Sequence, residues 1–176
     1  MKASLKIVLT GAESTGKSTL AEGLARHFNS IWIPELARTY VQQLDHHYSY
    51  ADIENIARMQ IQQEAAIGTN SPFVFFDTWL LITKVWFDFV YQKHPVWLDQ
   101  AIAESNIDHF LLCDIDMPWI DDPLRENGGE NRKLLHERYL MELEHYGFHY
   151  TLVSGTDETR LANAIKIVEQ IKQLNR

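Results

Sequence analysis

Short apolar runs recur along the chain at LKIVLT (5–10), SIWIP (30–34), PFVFFD (72–77), HFLLCD (109–114) and HYTLVS (149–154). Each run is continuously apolar and rich in aromatic or β-branched residues, with no in–out alternation. That pattern belongs to strands covered on both faces, as in a parallel sheet between layers of helices. Between the runs the apolar period changes to that of a helix. Leu20, Leu24 and Phe28 mark one face after a glycine-containing turn. Residues 51–67 predict a second helix opened by Asp52, and residues 79–91 a third, with Pro95 marking a break or a new helix start. Residues 131–146 predict a charged helix stopped by Gly147, and residues 157–174 an amphipathic one. Strand alternating with helix throughout predicts a three-layer α/β fold with right-handed crossovers. No repeat, low-complexity tract or linker interrupts the pattern, so residues 1–176 read as a single domain.

Composition narrows the function classes. With 45% apolar residues the chain can bury one sizeable core. Sixteen Lys and Arg stand against 24 Asp and Glu, a net charge of −8 that repels a phosphate backbone and argues against nucleic acid as a general partner. Cys113 is the single cysteine, set in the apolar run HFLLCDI. It has no intramolecular partner, which fits a reducing compartment and a small buried hydrophobe. The apolar part of MKASLKIVLTGAE is too short for a signal peptide or membrane span, and no later run approaches the roughly 20 residues a span needs. The expectation is a soluble cytoplasmic protein with no membrane partner, with self-association left open.

The candidate chemistry begins at GAESTGKST, residues 11–19, which follows an apolar run and precedes a helical pattern. Gly11, Gly16, Lys17 and Ser18 satisfy GxxxxGK(S/T), the phosphate-binding loop. Its backbone N–H groups point at phosphate oxygens, helped by the positive end of the helix dipole. The expected ATP cradle therefore comprises Gly11, Glu13, Ser14, Thr15, Gly16, Lys17, Ser18 and Thr19. Lys17 reaches the β- and γ-phosphates, and the Ser18 hydroxyl joins a Mg²⁺ shell. The competing reading is an ordinary turn with an exposed lysine. Asp77 closes FVFFD at a strand end, where a carboxylate helps to organise the same metal; it also suits a helix N-cap.

Glu35 and Arg38, in PELARTY, follow the second apolar run. A carboxylate there suits a general base, and an arginine one helical turn later can pair with it or hold a polar substrate group. An ordinary surface ion pair competes with that reading. Arg125 and Arg132 flank a glycine-containing polar loop, so residues 121–138 suit a lid that brings cations to a transferring phosphoryl group; a solvated loop is the alternative. Trp79, Trp86, Trp97 and Trp119 sit in or beside the middle segments, and a flat heteroaromatic acceptor could stack on one of them, Trp79, two residues after Asp77, being nearest and Trp119 a second candidate, although tryptophans more often fill cores. The eight histidines, His46 and His47 among them, have no metal-ligand spacing.

In order, GAESTGKST, PELARTYV, DIENIARMQ, VFFDTWLLITKVWF, LLCDIDMPWIDDPLR and VSGTDETR span nearly the whole chain. Together they resemble the nicotinamide riboside kinase domain of NadR-type NAD biosynthesis proteins, a branch of the P-loop kinases. The resemblance implies a five-stranded nucleoside-kinase-like sheet and transfer of the ATP γ-phosphate to the 5′-hydroxyl of a ribonucleoside. Nicotinamide riboside is the implied acceptor and nicotinamide mononucleotide the product. Glu35 becomes the candidate base, with Asp77 able to share that duty. Two departures stand out. No HxGH-type adenylyltransferase signature occurs, and Pro34 occupies the place before Glu35 where related domains tend to carry an aromatic. A stacking ring must then come from elsewhere, Trp79 being the first candidate. A regulatory ATP-binding module, or a kinase of another nucleoside or nucleotide, remains the rival reading.

Overall fold

The computed structural model describes residues 4–68, 70–121 and 127–175. In chain order the elements are β1 (Leu5–Thr10), α1 (Lys17–His27), β2 (Ile31–Ile33), α2 (Leu36–Gln42), α3 (Tyr50–Ala65) and β3 (Phe73–Asp77). There follow α4 (Leu80–Tyr91), α5 (Val96–Ala103), β4 (His109–Cys113), α6 (Glu130–His145), β5 (Tyr150–Val153) and α7 (Asp157–Leu174). All strands run parallel in one five-stranded sheet of order β2-β3-β1-β4-β5, the α/β architecture the apolar runs predict. Leu9 of β1 is in register with Asp77 of β3 on one side and Leu111 of β4 on the other. That register brings the loop after β1 beside the carboxyl ends of both neighbours, where parallel α/β sheets bind ligands.

Both sheet faces are packed at the central strands β1, β3 and β4, which is why these do not alternate; the edge strands β2 and β5 leave Trp32 and Leu152 exposed. Val74 and Phe76 of β3 point to one side, against Ile53 of α3, Leu80 and Val85 of α4 and Leu143 of α6. Phe73 and Phe75 point to the other, with Leu20 and Leu24 of α1 and Ala164 and Val168 of α7. Cys113 is fully buried in this second layer, and burial pushes its thiol up to about 11. α4 and α6 are tied by charge as well as by packing. Buried Lys84 donates to Asp88 Oδ2 at 3.0 Å and to Glu142 Oε2 at 2.9 Å, and Arg138 of α6 donates to Asp88 at 3.1 Å. This network fixes two walls of the site described below.

Several boundaries differ from the sequence expectation. Asp52 does not open α3; Ser49 is its N-cap, and the Asp52 carboxylate, three residues in, accepts the Ser49 backbone N–H in a capping box. The helix after β3 is capped at Trp79, so Asp77 ends a strand and is not a helix cap. Pro95 caps a separate helix, α5. Of the expected lid, residues 122–126, Arg125 included, lie outside the described residues, and residues 130–138 form the start of α6. Among the described residues no helix is long and apolar enough to cross a membrane.

Candidate active site

The loop between β1 and α1 is shaped by two glycines. Gly11 has φ +128°, and a Cβ there would stand 2.8 Å from the Cys113 carbonyl oxygen, so only glycine lets the loop pass the end of β4. Gly16 has φ +73° as the N-cap of α1. It provides no side-chain cap and the first turn carries no acid, which leaves the N-terminal N–H groups to an anion. Lys17 Nζ rests on the Ala12 carbonyl at 2.7 Å.

The other side chains of the loop are used internally. Thr15 Oγ1 donates to the Ala12 carbonyl at 2.9 Å, Ser14 Oγ accepts the Ile120 N–H at 2.9 Å, and Glu13 accepts the Asn127 N–H at 3.0 Å. Residues 13–15 therefore offer a ligand their backbone. Two buried arginines set which way that backbone faces. Arg132, from the first turn of α6, donates to the Glu13 and Ser14 carbonyls at 3.2 and 2.8 Å and to the Met117 carbonyl at 2.8 Å. Arg160, from the first turn of α7, donates to the carbonyls of Thr15 and Asp114, each at 3.2 Å, and pairs with Asp116. Because N–H and C=O of a trans peptide point in opposite directions, carbonyls drawn to the arginines turn the N–H groups of Ser14, Thr15 and Gly16 the other way. Those residues line the cavity.

Arg132 thus departs from its expected part as a lid cation: its guanidinium braces the loop from behind. Arg160 closes the stretch VSGTDETR but was given no role from sequence. The signal was present, however, because Arg160 shares the buried face of α7 with Ala164, Val168 and Ile171, an apolar stripe at helical spacing that begins with a charge.

Two carboxylates stand beside the loop. Asp77 is only 2% exposed, and its Oδ1 has no hydrogen-bond partner among the described residues. Burial pushes its pKa above the ordinary carboxylate range, while the Ser18 hydroxyl and the charges of Lys17 and Arg38 oppose that rise. Glu35 is the N-cap residue of α2 and lines the cavity with Arg38. Burial raises Glu35 too; Lys17 pulls it down, Asp77 pushes it up and Arg38 pulls it down. A buried, unpartnered carboxylate oxygen near a serine hydroxyl is a donor set that fits Mg²⁺, a hard cation taking oxygen ligands.

From the loop a cavity of about 610 Å³ runs past Glu35 and Arg38 to α3 and α4. It is also lined by Tyr48, Gln60, Thr83, Trp86, Phe89 and Tyr139, of which sequence reasoning offered only Trp86, as one of four tryptophans that could stack. Trp86 and Tyr48 meet edge to face with centroids 4.7 Å apart. His46 and His47 lie at the rim. His46 bridges Asp45 and Asp52 at 2.8 and 3.4 Å, and the Asp45 hydrogen bond raises its pKa.

Trp79, expected to stack on an acceptor, does not line this cavity. It is 1% exposed, packs near Phe110 and donates from its indole N–H to Glu64 Oε2 at 3.0 Å. The reason is local: Trp79 is extended, with φ −163° and ψ −174°, so it stands outside the helical spacing that carries Thr83, Trp86 and Val90 to the cavity. Trp119 is not part of the wall either. Its ring lies against Gly128 and its N–H donates to Asp121 Oδ1 at 2.7 Å.

Comparison with known proteins bears on the family and the fold. The family described as an AAA domain matches residues 6–160. The trifunctional NAD biosynthesis/regulator protein NadR of Escherichia coli K12 is 27% identical over 175 residues, covering 94% of this chain and 42% of that protein. The chain thus spans less than half the length of this relative. A crystal structure of NadR protein in complex with NR superposes with a TM-score of 0.80 at 23% identity, covering 96% of this chain and 51% of that one. Thymidylate kinase from Ehrlichia chaffeensis shares the fold at a TM-score of 0.65 and 14% identity, over 97% of this chain and all of that one. The resemblance to NadR-type proteins read from the motifs is borne out.

Proposed function

The chain belongs to the AAA domain family, and from that premise we propose that it is an ATP-dependent kinase acting on the 5′-hydroxyl of nicotinamide riboside or a closely related ribonucleoside. One observation carries this reading: a single cavity joins the phosphate loop, a carboxylate of raised pKa and an aromatic wall. An ATPase that only hydrolyses also needs a group to orient its nucleophile, but has no need of the aromatic wall. The similarity to NadR, one structure of which is in complex with NR, supports the choice of acceptor.

In this reading the N–H groups of residues 14–16 hold the nucleotide phosphates, and Lys17 leaves the Ala12 carbonyl to meet the γ-phosphoryl oxygens. Glu35 accepts the proton of the acceptor hydroxyl. As the new O–P bond forms, the bond to the bridging oxygen breaks and ADP departs. Burial keeps Glu35 basic enough for that transfer, and Lys17 keeps it ionised enough to begin it. Arg38 faces the acceptor from the same wall. Ser18 and Asp77 would hold Mg²⁺, which neutralises charge at the phosphate oxygens. Arg125 is retained as the lid cation, while Arg132 keeps the loop in shape. Trp86 and Tyr48 supply the stacking surface that Pro34 does not.

The test compares ADP release with nicotinamide riboside, with its 5′-deoxy analogue and with no acceptor. Release that depends on the 5′-hydroxyl is the expected result. Equal release in all three would replace this reading with a simple ATPase.

A further inference from the structure

The apolar seam of α3 reads Ile53, Ile56, Ala57 and then Gln60, so an amide occupies a place the helix period gives to a hydrophobe. Gln60 is 4% exposed and lines the cavity. Its Oε1 accepts the hydroxyl of Thr83, itself 1% exposed on α4, at 2.8 Å. In this arrangement the amide oxygen is engaged by the Thr83 hydroxyl and the nitrogen is left to donate. The Gln60 nitrogen has no partner among the described residues. Because Gln60 lines the cavity, this nitrogen is open to it, and a donor held at a cavity wall by a second buried residue is available to a ligand. Trp86 lies one turn beyond Thr83 on α4, so the amide and the indole border the same end of the cavity.

We propose that Gln60, oriented by Thr83, is a specificity-determining residue whose amide nitrogen donates to a hydrogen-bond acceptor on the edge of a planar ring stacked on Trp86. The inference rests on the proposed acceptor reading and deepens it. It restricts the acceptor to rings carrying an accepting group, such as a carboxamide carbonyl, directed toward α3. A ring with nothing there leaves the Gln60 nitrogen buried and unpaired, which is how a polar site rejects an analogue. The phosphate loop is formed by separate residues, so Gln60 acts on acceptor choice and not on nucleotide affinity.

Calorimetry on the ADP-loaded protein tests this, with nicotinamide riboside and the corresponding pyridine riboside lacking the carboxamide as the two probes. Wild type, Gln60→Leu and Thr83→Val are compared, and phosphorylated product is followed separately by mass. Wild type should favour the carboxamide ring by about 10- to 100-fold. Gln60→Leu should abolish that preference by weakening the carboxamide ring alone, with ADP affinity unchanged. Thr83→Val, which leaves the amide in place but unoriented, should reduce the preference several-fold. Equal binding of the two rings by wild type, binding of neither, or a preference that survives both variants overturns the assignment. Ring discrimination that depends on Gln60 without any phosphorylated product would retain the subsite and remove the kinase reading.

Discussion

The two ends of the cavity are built by opposite means. At the phosphate end the ligand-facing groups come from one contiguous stretch, residues 11–19, whose backbone is shaped by Gly11 and Gly16 and held from behind by Arg132 and Arg160. At the acceptor end the wall is assembled from α2, the loop before α3, α3, α4 and α6, through side chains far apart in sequence. The first end is conserved in form by local geometry, whereas the second depends on how helices pack. It follows that changes at the phosphate end should abolish the reaction, and changes at the acceptor end should redirect it.

The largest expected effect is at the phosphate end. Lys17→Ala should lower kcat/KM at least about 10³-fold while moving Tm by no more than a few degrees, because among the described residues its hydrogen bonding in the fold is the Nζ bond to Ala12, beside its charge on Asp77 and Glu35. Steady-state kinetics and a thermal melt check both parts. Glu35→Gln should cost about 10²- to 10⁴-fold in kcat. The pH profile provides the sharper check. The wild-type rate should rise as pH passes upward through the raised Glu35 pKa, since the base must be ionised, and the variant should lose that limb.

A third prediction separates two tryptophans. Trp86→Ala should raise the acceptor KM about 10-fold with little change in the KM for ATP, by loss of the stacking surface. Trp79→Phe should leave both KM values alone and lower Tm by roughly 2–5 °C, through loss of the indole bond to Glu64. An acceptor KM that responds to Trp79 and ignores Trp86 would reverse the assignment of the walls. The smallest effect concerns Asp77→Asn in the ligand-free protein, which should gain about 3 °C in Tm near neutral pH by removing a buried charge with an unpaired oxygen. The folded-state pKa is raised, so wild type is most stable relative to the variant when the carboxyl is protonated. The gap should therefore close below the ordinary aspartate pKa of about 3.9 and open as pH rises through the folded value. Melts across that range read it directly.

This contrast also explains how much was legible in sequence. The central strands β1, β3 and β4 were visible because burial on both faces makes each a continuous apolar run, the edge strands β2 and β5 because they stay apolar although Trp32 and Leu152 are exposed, and the phosphate loop because its geometry is written in adjacent residues. Asp77 was visible as the acid ending such a run. The helix start after it was harder to place. Counting Trp79 as helical puts it on the face of Thr83 and Trp86, yet its extended backbone sends the ring into the core. Arg132 looked like a mobile cation because sequence records its charge and not the three carbonyls that surround it. Gln60 closes the stretch DIENIARMQ and Tyr48 lies in no motif, yet neither showed a role, since their relevance arises only when α3 and α4 pack together. Arg160 and Gln60 nevertheless share one signal: a polar residue at a position the helix period reserves for the core.

The most direct measurement is to incubate the protein with ATP, Mg²⁺, nicotinamide riboside and the common ribonucleosides, together and singly, and to identify products by mass. The account predicts acceptor-dependent formation of nicotinamide mononucleotide, abolished in Lys17→Ala. ADP accumulating with no phosphorylated nucleoside would contradict it.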